Sequence, residues 1–292
     1  MKLSLKWFAL SSLLLGLPSS IVSQDRAHEI AKQAAAQKAV HCTPASLNTQ
    51  TCHQQFPDGC TDAKTLSYDP YLNFLKNQTP GAALASTAVL AQSAFQSLEG
   101  KIPAGLSTGR HANFTSQLAP LGEGNIVTVF AYLYFVEDTG KSASGKPVTG
   151  ETCNCKLQLP DSYDFHIGLG FDKTLAAQIL KKKNQPKPGQ PTNVDKTSVV
   201  AEMTPHTRGP NWTFARVNGL QGQQVKVVGQ LMLDNEHYNA KDDCGFSGAA
   251  TTCWRSTVWE VHPVTQFYVC NLTSGCTPTS PDSAWTSLDN LP

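Results

Sequence analysis

The chain has 292 residues, and its 23 lysines and arginines nearly cancel its 22 aspartates and glutamates, giving a formal net charge of +1. Such a balance sets up no overall field to draw in nucleic acid or an anionic membrane, so there is no strong nucleic-acid signal, and phosphate tracking would need a local patch. With 40% hydrophobic residues the chain has the composition of a globular protein, long enough for one large or two modest domains.

The first residues read as an export signal. Lys2 and Lys6 give a positive start, Trp7 to Leu17 is almost wholly apolar, and Ser19, Ser20 and Ser23 offer small residues for a peptidase, so residues 1–23 are expected to be removed. The apolar run is roughly half of the ~20 residues that cross a bilayer, and no later run is long enough, so no transmembrane segment is expected after cleavage. A secreted or periplasmic location follows, and the short, plain signal is compatible with a bacterium. The sequons at Asn77, Asn113, Asn211 and Asn271 matter only in a host that glycosylates.

All nine cysteines follow the signal, where thiols oxidise if a partner is within reach. Nine is odd, so at least one is free or paired between chains. Cys244 and Cys253 flank a stretch rich in small residues and are expected to close a short loop, worth roughly 2 to 3 kcal/mol on loop entropy. Cys153 and Cys155, two apart, would point to one face of an extended segment. That disfavours a bond between them and leaves bonds to other segments, or half of a soft metal site.

Residues 24–124 read as a small helical region: an Ala-, Lys- and Gln-rich helix to about Val40, the cysteine stretch Cys42 to Cys60, and a short amphipathic helix around Tyr68 to Leu75. Apolar residues then continue through Phe95 and Leu98. The texture changes at Asn125. Ile126 to Val136 is a β-branched and aromatic run ending at the polar loop Asp138 to Gly150, and Cys155–Leu159 and Asp164–Phe171 are shorter extended candidates. Leu175 to Lys183 is expected to be helical and Asn184 to Asp195 a surface excursion. Then follow a strand over Ser198–Met203, a helix around Trp212–Leu220, and strands over Val225–Leu233 and Thr257–Val269. Residues 125–270 therefore form the β domain, and 271–292 a C-terminal tail.

Strand, strand, strand, helix, strand, strand is the order of an OB-type barrel, whose closure removes exposed edges. The expected fold class is mainly β with α: an OB-like five-stranded barrel preceded by a small helical, cysteine-containing region. An open α+β sheet is the competing architecture.

The run Val225 to Asp234, then His237, then Trp259-Glu260-Val261-His262-Pro263-Val264, resembles a pattern in uncharacterised secreted bacterial proteins with OB-like barrels. In those a strand ending in Asp, with a nearby His, precedes a last strand carrying Glu, an aliphatic residue, His and Pro. The resemblance covers roughly Asn125 to Cys270. It implies the fold and no activity.

Acidic and imidazole side chains recur on the strands. Asp164 and His166 share a face of one strand and Glu260 and His262 a face of another, while Glu202 lies near the end of a third and Asp234, Glu236 and His237 follow a fourth. Carboxylate plus imidazole is the ligand set of a transition-metal site, which makes a divalent metal a candidate cofactor, and it is also the set for general acid and base work. The same residues would serve as a polar ladder that fixes register, with His262 bonded to a carboxylate or carbonyl and Glu260 paired with Arg255 or Arg208, or as a binding cleft. There is no Gly-x-Ser-x-Gly elbow, and Gly168 and Gly170 do not make a phosphate loop. Tyr132, Tyr134, Phe165, Trp212, Trp254, Trp259 and Tyr268 are aromatics of the kind that line an OB groove. Trp254 and Arg255, beside Cys253, are the candidate ligand contacts, and Lys181, Lys182, Lys183, Lys187 and Lys196 form a basic loop. Two functions follow: a secreted module binding an unknown ligand or protein partner, or a metal-assisted hydrolase of phosphate or ester bonds.

Overall fold

A computed structural model describes residues 40–43, 47–61, 68–78, 87–138, 150–159, 162–181 and 193–292. Its strands are β1 (Ala88–Leu90), β2 (Ile126–Asp138), β3 (Phe165–Gly170), β4 (Val199–Met203), β5 (Gln224–Leu233), β6 (Trp259–Cys270) and β7 (Trp285–Ser287). The helices that matter below are α1 (Thr49–Gln55), α2 (Pro70–Lys76), α3 (Gln92–Glu99), α4 (Lys173–Leu180) and α5 (Phe214–Asn218).

Strand β2 is long enough to serve two neighbours. Its first half, Ile126 to Tyr132, pairs antiparallel with β5, and its second half, Tyr132 to Asp138, pairs antiparallel with β3, with a register shift between Leu133 and Phe135. β3 continues antiparallel to β4, β4 meets β6 in parallel at Ala201 and Val261, and β6 returns antiparallel to β5. The five strands thus close as β2-β3-β4-β6-β5 and back to β2. The first barrel strand touches the second and fourth, the last touches the third, and α5 stands between third and fourth, which makes this an OB-like barrel and not an open sheet.

Alternation sets the inside. Val127, Val129, Ala131 and Leu133 of β2, Phe165, Ile167 and Leu169 of β3, Val199, Ala201 and Met203 of β4, and Trp259, Val261, Val264 and Phe267 of β6 share one core. Phe95 and Leu98 of α3, with Leu106 and Leu118, belong to the same core, as does Leu288 near the C-terminus. Gly168 and Gly170 have a packing reason: a Cβ there would collide with the rings of Phe135 and Tyr134, which lie across β3.

Two stretches differ from expectation. Cys155–Leu159 is not extended: Thr152–Asn154 is a single 3-10 turn, followed by Cys155 and Lys156 at φ 54° and 55°. That turn carries Cys155 to Cys52 of α1, a bond spanning 103 residues that ties the N-terminal region to the barrel's first long loop, and leaves Cys153 free and buried. The second is β1, which adds in parallel beside β2 within the region expected to be helical. Residues 271–292 are packed as well, since β7 pairs with β6. The other bonds are Cys42–Cys60, Cys244–Cys253 and Cys270–Cys276. The expected signal, the helix before Val40 and most of the basic loop lie outside the described residues. Among the described residues no helix is long and apolar enough to cross a membrane.

Candidate functional site: a buried ionic row on the outer face of the barrel

The same alternation that turns Trp259 and Val261 inward turns Glu260 and His262 to the outer face, and it does the same for His166 on β3, Glu202 on β4 and Gln230 and Met232 on β5. Because β3, β4, β6 and β5 are neighbours, these side chains form one row. His166 stands opposite Glu202 and Glu260 opposite Met232 in the register. Asp164 and Asp234 extend the row from the residue before β3 and the residue after β5.

This outer face is covered. α2 packs Tyr71, Leu72 and Leu75 against Met232, and its last residue, Lys76, reaches Asp234 Oδ2 at 3.0 Å. From the β2–β3 loop Asn154 Nδ2 donates to Asp164 Oδ1 at 3.1 Å, and from the β5–β6 loop Arg255 Nη1 donates to Glu260 Oε2 at 3.0 Å. Four carboxyl groups, Asp164, Glu202, Asp234 and Glu260, therefore meet four basic side chains, Lys76, His166, Arg255 and His262, all of them buried.

His262 is central. Its Nδ1 lies 3.0 Å from Glu202 Oε2 and 3.1 Å from Glu260 Oε1, while Nε2 is 3.6 Å from Asp164 Oδ2. His166 Nε2 is 3.0 Å from the other Glu202 oxygen. Burial opposes a charge on either imidazole, yet the Glu202 carboxylate outweighs it, raising His166 to about 9 and His262 well above its ordinary value. Burial likewise pushes Glu202 up, and the two imidazoles hold it well below the usual carboxylate range. Burial would lower Lys76, but Asp234 keeps it raised.

A pocket of about 460 Å³ opens beside this row, between Asn73 and Lys76 of α2, Gly150 to Cys153 and Lys156 of the β2–β3 loop, His166, and Glu236 with His237 after β5. Burial, then Asp164 and Glu202, raise Glu151 to about 8, which favours its protonated form. It accepts at 3.2 Å from the Cys153 thiol, whose own pKa is pushed up by burial and by Glu151.

Of the residues singled out in the sequence, Asp164, His166, Glu202, Asp234, Glu260 and His262 converge in the buried row. His237 stands at its edge, 4.0 Å from Asp234 and 3.2 Å from Asp242. Trp254 is half-buried, stacked on His166 at 6.1 Å, edge-on to His237, with its Nε1 donating to Asp242. It braces two pocket residues and does not itself line the pocket. Arg255 is no surface contact: it is fully buried, beneath Trp254 and bonded to Glu260. Arg208 lies over the Phe165 ring and donates to the Tyr163 carbonyl. Trp259, Phe165, Tyr134 and Trp212 are buried, so they line no open groove. Asn77 is buried too, with the Nδ2 that a glycan would need donating to the Cys153 carbonyl.

Sequence reasoning passed over Lys76, Glu151, Asn154 and Lys156. Lys76 left one signal: it falls four residues after Leu72, on the apolar stripe of α2, where a lysine is buried only with a partner. The three loop residues left none, because no periodicity governs them.

The fold and site together define an OB-like barrel protein with an ionic row across the outer face of β3, β4, β6 and β5. Compared with known proteins, the chain matches no family model, no curated protein and no solved structure.

Proposed function

We propose that this is an exported binding module that takes a small anionic, acceptor-rich ligand in the pocket beside the ionic row. One observation carries the reading: the pocket lies where His166 of the second barrel strand meets the loops after the first and fourth, beside the face on which OB folds receive ligands, and its walls are rich in donors. Lys156, His166 and His237 contribute cationic or N–H groups beside the Asp234-bound Lys76, burial favours the protonated form of Glu151, and Asn73 Nδ2 has no acceptor among the described residues. The disulfides and the signal-like N-terminus support export. The test is thermal unfolding with orthophosphate, glucuronate and neutral glucose. The anions should raise the midpoint and glucose should not, and the gain should shrink in Lys156→Ala. Equal responses to all three would reject the reading.

A second reading, a metal-assisted hydrolase of phosphate or ester bonds, is favoured by one specific observation: Asp164, Glu202 and His262 bring possible metal ligands together next to the same pocket.

A further inference from the structure

We propose that Asp164, Glu202 and His262 form a binding site for a divalent transition cation of the zinc class, set into the outer face of the barrel beneath the pocket. It goes beyond the anion reading and would stand if the pocket took no ligand at all.

The three side chains come from the lead-in to β3, from β4 and from β6, and their ligand atoms all lie within 4.8 Å of one another. Each residue is at most 1% exposed. Two carboxylates match a divalent ion in charge once the ion takes the place of the His262 proton, and the mixed nitrogen and oxygen set suits zinc, manganese or iron better than calcium or magnesium, which favour oxygen alone.

The orientation of His262 is an independent observation. Its Nδ1 lies 3.0 Å from Glu202 Oε2 and 3.1 Å from Glu260 Oε1, of which the contact to Glu260 is aligned as a hydrogen bond, and Glu260 is in turn held by Arg255. Its Nε2 is fully buried, has no hydrogen-bond partner among the described residues, and stands 3.6 Å from Asp164 Oδ2. A carboxylate on one ring nitrogen, leaving the other free for the ion, is how ligating histidines are held. With bonds of ~2.0 to 2.2 Å, neighbouring ligands of a tetrahedral zinc lie about 3.4 Å apart, close to the observed 3.6 Å. Neither Glu202 oxygen makes a well-aligned hydrogen bond, although both sit beside imidazoles. Lys76 and Arg255 are committed to Asp234 and Glu260, so these two cations do not take the place of the ion.

The experiment uses the full chain, made in an oxidising compartment without a metal-binding tag and stripped with chelator. Added zinc should remain at one equivalent per chain after gel filtration. His262→Gln and Glu202→Gln should each weaken zinc binding at least about tenfold, while His206→Gln should not change it. Cobalt, added to the unmutated protein as a second measurement independent of variant folding, should give visible ligand-field bands without the near-ultraviolet charge-transfer band of a thiolate. Zinc held well below one equivalent, zinc binding unchanged in a folded His262→Gln protein, or a cobalt–thiolate band implicating Cys153 would each overturn the proposal. Phosphate or glucuronate binding to the chelated protein reports on the pocket reading separately.

Discussion

His166 faces Glu202 directly across β3 and β4, with its Nε2 3.0 Å from Oε1, and the opposite Glu202 oxygen stands 3.0 Å from His262. One carboxylate thus joins two imidazoles on three successive strands. Removing its charge leaves both without their main counter-ion in a largely buried site, and breaking a buried pair from one side costs roughly 3 to 5 kcal/mol. Glu202→Gln should lower stability by that order in urea unfolding, whereas Glu236→Gln, whose side chain is 43% exposed, should cost less than about 1 kcal/mol.

Lys76 and Asp234 give a second, separable prediction. Lys76→Met strands a buried carboxylate and Asp234→Asn strands a buried ammonium, so each single change should be costly. The double variant should recover a substantial part of the loss, since the pair is then gone from both sides. Simple additivity of the two losses would show that the 3.0 Å contact is not energetically coupled.

His111 supplies a pH test away from the row. Burial opposes its charge, but Glu123, 2.8 Å away, raises it from 6.5 to about 9. The folded protein therefore keeps this proton to higher pH than the unfolded chain does. Its contribution is complete below about 6.5 and is lost as the pH rises through about 9, a change of a few kcal/mol in all. Urea unfolding at pH 6 and pH 9.5 should show a smaller drop for His111→Gln than for the unmutated protein, although the variant is less stable at both. Equal drops would mean that His111 does not carry its proton as described.

The covalent frame predicts a thiol count. Eight cysteines are paired in the four bonds among the described residues, and Cys153 is free and buried. Its thiol, with a raised pKa, should resist Ellman's reagent in the folded protein. One thiol per chain should appear after denaturation without reductant. Any other count, or rapid reaction in the native state, contradicts the pairing.

The barrel was legible because its strands advertise themselves. Ile126 to Val136, Val225 to Leu233 and Trp259 to Val269 are β-branched and aromatic runs whose alternation tells the two faces apart. The alternation also shows why Glu260 and His262 share a face with each other and not with Trp259 and Val261. The lid over that face was not legible. Lys76, Asn154 and Arg255 arrive from a helix end and two loops, and their positions depend on long-range contacts such as the Cys52–Cys155 bond. The Cys155 turn was misread for a related reason: its backbone follows a disulfide and two residues at positive φ, and no propensity records either.

The division near Gly124 can be tested on a fragment from about Leu121 onward. Phe95, Leu98, Leu106 and Leu118 fill the same core as the barrel strands, and Lys76 neutralises Asp234 on its outer face. Such a fragment loses both and should be much less stable than the whole chain. A fragment with the full chain's midpoint would show that the barrel core needs nothing from the N-terminal side.

The most direct test of the central claim, that the pocket beside the ionic row receives an anionic ligand, is nitrogen NMR of the imidazoles while orthophosphate or glucuronate is titrated into the full chain. The resonances of His166 and His237, which line the pocket, should move and saturate together, while those of His53 and His206, paired with each other outside it, should stay in place. No movement at His166 and His237, or equal movement of all four, would contradict the account.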